Sequence, residues 1–184
     1  MTGMTTWIAL LRGINVGGNR RVPMADLRAA LEAIGLDDVR TYIVSGNVLF
    51  RSPRADRDVL RADVEAAIET RFGFPVAVVL RTAAEMRAIT AGDLLPEGSA
   101  SDPARRYAIF LSEDPAPERL SAIDPAAVAP DVFVARDRVI HTWYRDGLQA
   151  SKLAGQLTDR ALGVTATARN WNTVRKLVEL SGDD

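Results

Sequence analysis

The chain has 184 residues, 47% hydrophobic and 26% charged, with 23 lysines and arginines against 24 acids, one histidine and no cysteine. That length suits one large domain or two small ones, and a net charge of −1 argues against non-specific nucleic-acid binding as the main role. The lack of cysteine excludes disulfides and thiolate chemistry, and His141 alone cannot build a multi-histidine metal centre, so neither metal nor cofactor is expected.

Met1–Thr6 lacks the charged start and apolar core of a signal peptide, and no apolar stretch approaches membrane-spanning length. The expectation is a cytoplasmic monomer or weak homodimer without a membrane partner. The apolar run Trp7–Arg12 predicts a strand. Met24–Ile34 predicts a helix, opened by Pro23, closed by Gly35 and apolar at Met24, Leu27, Leu31 and Ile34. Val39–Val44 and Asn47–Arg51 predict a hairpin around Ser45-Gly46. A helix over Asp58–Phe72, a strand over Val76–Arg81 and a short helix over Thr82–Thr90 complete a β-α-β-β-α-β order, a ferredoxin-like split unit.

Gly92–Arg105, rich in Gly, Pro and Ser, reads as a linker. After it come a strand at Tyr107–Leu111, a proline-bounded helix at Pro117–Ile123 and a hairpin of Val132–Ala135 with Val139–Tyr144. Ser151–Leu162 predicts one helix, Val164–Ala168 a last strand and Asn170–Leu180 a terminal helix. The fold class expected is α+β, two ferredoxin-like lobes in tandem, over 1–92 and 106–184, with 93–105 between them.

Several segments carry a family likeness. ALLRGINVGGNRRVPMADL, VRTYIVSGNVLF, SKL and TATARNWNTVRKL together resemble a bacterial family known as domain of unknown function 1697, from Trp7 to Leu180. The resemblance implies no reaction, substrate or partner, because the family has none agreed. Its C-terminal motif typically reads TTRNWNT. Ala168 departs from it, which argues against a required hydroxyl there.

The residues themselves point to an anion site. The first 25 residues hold Arg12, Arg20 and Arg21 and no carboxylate, around Gly13, Asn15, Gly17, Gly18 and Asn19. Such residues tolerate positive φ, and a glycine-rich turn from strand to helix can expose N–H groups to an anion. The spacing fits neither the dinucleotide-binding glycine fingerprint nor the P-loop. Gly147–Thr158, with Lys152, has no acid, and Gly163–Val178, with Arg169 and Asn170, has none either. Arginine grips phosphate or carboxylate bidentately.

Other constellations are weaker. Trp171 shares a helical stripe with Val174 and Val178, which marks it as core rather than as a base-stacking platform. His141 has no nucleophile elbow to serve, and the third strand, Asn47–Arg51, lacks the aromatic signature of an RNA-recognition sheet. The reading is a protein that binds a small anionic metabolite or nucleotide in a cleft between lobes through Arg12, Gly13, Asn15, Gly17, Gly18, Lys152, Arg169 and Asn170. Two alternatives remain open: an enzyme acting there on a phosphorylated or carboxylated substrate, and a protein-interaction module. No catalytic residue is assigned. An enzyme calls for a perturbed titrating group beside the cations, an interaction module for an exposed apolar patch.

Overall fold

Alternation along Thr5–Leu11 (β1) sends Trp7, Ala9 and Leu11 to one face, where they join Val48, Phe50, Val78 and Leu80 in a buried cluster. In the computed structural model, which describes residues 3–18, 20–92, 94–96 and 102–182, that face is covered by two helices. α1 (Met24–Ala33) contributes Leu27 and Leu31, and α2 (Arg57–Phe72) contributes Leu60, Val64 and Ile68 at helical spacing. Asp56 caps α2 by accepting from the Asp58 and Val59 N–H groups at 3.0 and 3.1 Å. Gly73, in the left-handed region, ends it.

The strands β2 (Asp37–Tyr42), β3 (Asn47–Ser52) and β4 (Val78–Thr82) complete an antiparallel sheet in the order β2-β3-β1-β4, followed by α3 (Ala83–Thr90). β1 therefore ends one residue early, leaving Arg12 to the loop that follows. β4 begins two residues late, leaving Val76 and Ala77 to the loop before it.

A second sheet has the same order. β5 (Arg106–Leu111), β6 (Val132–Arg136), β7 (Val139–Trp143) and β8 (Ala166–Asn170) run antiparallel as β6-β7-β5-β8. Between β5 and β6 lie α4 (Pro117–Ser121) and α5 (Pro125–Val128), the latter a turn of helix that Asp124 caps and the sequence pattern did not reveal. The helix expected over Ser151–Leu162 is two helices, α6 (Lys152–Gln156) and α7 (Asp159–Leu162). Ser151 caps the first and Thr158 the second, and an extended cap residue at Thr158 cannot continue a helix. The final helix is α8 (Trp171–Ser181).

The chain divides into two compact units, Met1–Arg87 with Leu177–Asp184 and Ala88–Lys176. The C-terminal residues thus group with the first unit, where the expected division put them in the second. Arg87 donates to the Gly182 carbonyl at 2.7 Å and helps hold them. Asn19, Asp183, Asp184 and, within the expected linker, 93 and 97–101 lie outside the described residues. Among the described residues no helix is long and apolar enough to cross a membrane.

Candidate functional site

Three loops meet at one end of the first sheet. Backbone hydrogen bonds tie the end of β1 to both neighbours: Leu11 N–H donates to the Gly46 carbonyl at 2.8 Å, and Arg12 N–H to the Ala77 carbonyl at 3.0 Å. Asn15 then stitches the first loop to itself and to the second. Its amide NH2 donates to the carbonyls of Val22 at 3.1 Å and Val44 at 2.8 Å, and its oxygen accepts from Val22 N–H at 2.8 Å. The Asn15 side chain, expected to meet a ligand, is thereby committed to holding the frame. Arg20 reaches the third loop, its guanidinium carbon 5.9 Å from the centre of the Phe74 ring.

The first loop carries three cations, and none of the three loops carries an acid. Residues 12–23, 43–46 and 73–77 contain Arg12, Arg20 and Arg21 but no Asp or Glu, and all three arginines are exposed. Among the described residues Arg20 and Arg21 form no ion pair. Two carboxylates of the flanking helices are already engaged. Asp26 pairs with Arg71 at 2.8 Å, while Glu65 accepts from Val78 N–H at 2.8 Å and pairs with Arg61 at 3.3 Å.

The turn is built on left-handed backbone. Gly13, Gly17 and Gly18 have φ of 64°, 61° and 78°, as expected for a glycine turn, and Asn15 has φ 55°. Gly46 is the tightest point: a Cβ there would lie 2.8 Å from Leu11 Cβ and Ile14 Cδ1. Ile43 is the anomaly, because φ of 52° is an outlier for a β-branched residue and carries strain on the order of 1–3 kcal/mol. Its side chain is also exposed. Strain of this kind concentrates where structure serves a purpose other than stability.

The other expected residues lie in the second unit. Lys152 opens α6, exposed, beside a small cavity of about 160 Å³ that also presents Asp131 and Asp146. Arg169 is buried on β8, bonding the Thr167 hydroxyl at 2.8 Å and the Ala168 carbonyl at 2.9 Å, and burial pushes its guanidinium down to about 10. Asn170 donates to the Ala104 carbonyl at 2.9 Å and caps Asn172 N–H at 3.0 Å. Trp171 and His141 are both buried, their rings 5.7 Å apart, and the Arg106 guanidinium lies 4.5 Å from the Trp171 ring.

Two further places have site-like features. A groove of about 630 Å³ between α1 and α2 is floored by Ala30, Ala33, Ala66 and Ala67, but its rim charges are neutralised by the pairs Arg54–Asp63 and Arg71–Asp26. Tyr144 is fully buried, and desolvation pushes its phenol up to about 12, opposed by the neighbouring Thr142 hydroxyl and helped by the charge of Asp131. Its neighbour Thr142 gives its own hydroxyl to the Tyr107 carbonyl at 3.3 Å.

Comparison with known proteins adds a family and a fold. The model of a family described as "Protein of unknown function (DUF1697)" matches residues 4–141. A solved structure of the conserved bacterial protein SP0830 from Streptococcus pneumoniae is similar along 98% of this chain and 100% of its own, with a TM-score of 0.77 and 24% identity. No curated protein matches.

Proposed function

We propose, for a chain that belongs to the DUF1697 family, that the loop end of the first sheet binds a small anionic ligand such as a phosphorylated or carboxylated metabolite. The observation carrying this reading is the meeting of three acid-free loops, the first of which carries Arg12, Arg20 and Arg21. Like charges gathered on one surface repel, by about 1 kcal/mol per pair at 4 Å in water. A frame fastened by Asn15 and Gly46 holds the loops there regardless, and Arg20 and Arg21, which form no ion pair among the described residues, suit a surface awaiting a counter-charge.

The site is made of Arg12, Gly13, Gly17, Gly18, Arg20 and Arg21 as ligand contacts, with Asn15 as the residue that positions them. It is confined to the first unit. Lys152, Arg169 and Asn170 serve the second, where Arg169 and Asn170 bond the chain itself. The strand order of each sheet, with a helix in each crossover, supports the ferredoxin-like reading of both units.

Inorganic phosphate, added at constant ionic strength, should raise the melting temperature, because a ligand bound only by the folded state stabilises it. Arg12→Ala, Arg20→Ala and Arg21→Ala should each shrink the rise. An equal rise in all three variants refutes the site.

A further inference from the structure

Anion binding explains the arginines but leaves the apolar side chains around them without a role. Among the described residues the exposed large hydrophobics are Val16, Ile43, Val44, Val59 and Leu148. Three of these five stand on two of the three loops, one of them the loop that carries the arginines: Val16 is 70% exposed, Val44 67% and Ile43 47%. The loops are no loose excursions. Asn15 bonds the Val44 carbonyl, so Val16 and Val44 are displayed on one fastened frame. Ile43 adds an unfavourable backbone to an unfavourable exposure. A small phosphorylated molecule would use the arginines and ignore three aliphatic side chains.

An apolar patch bordered by arginines is the pattern of a protein interface, where a desolvated centre is ringed by charge. Its complement is an apolar surface bordered by carboxylates. A second copy of this chain docking face to face would set Arg12, Arg20 and Arg21 against themselves, so the partner is a different surface. The cations are all arginine, whose planar fork matches carboxylate bidentately. The loop tips hold valine and isoleucine, without the lysine, tryptophan or exposed phenylalanine that suit a bilayer interface or stack on bases.

We infer that the loop end of the first sheet docks an acidic, aliphatic segment of another protein, with Val16, Ile43 and Val44 taking its apolar side chains and Arg12, Arg20 and Arg21 its carboxylates. This rests on the anion-binding reading and names the carrier of the anion.

The test selects displayed random peptides of about a dozen residues on the immobilised full chain. Enrichment of Asp and Glu interleaved with Leu, Ile or Val is expected. An enriched peptide should lose affinity by about tenfold or more, read by fluorescence anisotropy, for Val16→Ser/Val44→Ser and for Arg20→Glu/Arg21→Glu. Val59→Ser, at the far end of α2 from these loops, should leave it unchanged, and circular dichroism checks that every variant folds. Enrichment of neutral or basic peptides, or of none, overturns the inference. So does binding to vesicles of anionic phospholipid or to oligonucleotides in place of peptides. Loss in the arginine variants alone also overturns it, while leaving the phosphate site standing. If phosphate protection fails in every chain, the underlying site itself is lost.

Discussion

The two units close their sheets in the same way and end them in opposite ones. In the first, Leu11 N–H meets the Gly46 carbonyl and Arg12 N–H meets that of Ala77. In the second, Leu111 N–H meets the Arg138 carbonyl at 3.0 Å and Ser112 N–H meets that of Thr165 at 2.9 Å. Even the carboxylate that catches the first N–H of the last strand recurs, as Glu65 to Val78 and Asp159 to Ala166. Yet β1 runs into a long turn with three arginines, while β5 runs into Ser112-Glu113-Asp114-Pro115-Ala116, short and acidic. The hairpin loop is Ile43–Gly46 in one unit and the two-residue turn Asp137-Arg138 in the other. One scaffold thus carries two different ends, and the chemistry lies in the loops rather than in the sheet.

The largest effect that can break this comparison is at the shared carbonyl. Gly46→Val adds a Cβ with nowhere to go and asks a β-branched residue to hold φ of 89°. The loss expected is about 3 kcal/mol or more in urea unfolding. Arg138 holds the corresponding place with a side chain already present, so Arg138→Ala should cost no more than about 1 kcal/mol. Equal costs would mean that the two ends are not built differently.

Titration separates the units next. Unfolded, the Tyr144 phenol titrates near 10, and in the folded chain burial moves it up to about 12. A raised value means that its contribution is intact below pH 10 and lost as pH rises toward 12. About two units at about 1.4 kcal/mol each makes a loss of about 3 kcal/mol. Tyr144→Phe should therefore lose less stability than the parent between pH 10 and 12. Parallel stability curves for the two would remove the buried phenol from the account.

Asn15→Ala deletes three hydrogen bonds and places alanine at φ of 55°. A loss of about 2 kcal/mol is expected, together with a weaker response to phosphate even though the arginines remain. Unchanged phosphate protection would show that the frame does not position them. The smallest effect has the opposite sign. Ile43→Asn puts a residue that tolerates the left-handed region at a strained position and should gain up to about 1 kcal/mol in thermal unfolding.

Much of the fold was legible because its signals are local. A continuous apolar run marked β1, the Ser45-Gly46 turn marked the hairpin that holds β3, and helical spacing marked α2. The positive φ of the turn followed from glycine alone. What was not legible depends on partners far along the chain. Asn15 looked like a ligand contact until its amide met Val44, 29 residues away, and Asn170 until its amide met Ala104, 66 residues away. Arg169 also looked like a ligand contact, and its burial is a property of the assembled β8. Ser45-Gly46 was readable as a turn, but its contact with Leu11 and Ile14, and the exposure of Ile43 and Val44 beside it, follow only from the sheet register.

The central claim is that one loop end takes anions and its counterpart does not. Backbone amide shifts followed by NMR during a phosphate titration test it residue by residue. The account predicts saturable changes at Gly13, Gly17, Gly18 and Ser45, with none at Ser112, Glu113 or Asp114. Changes centred on the second unit, or spread evenly over both with no saturation, would contradict it.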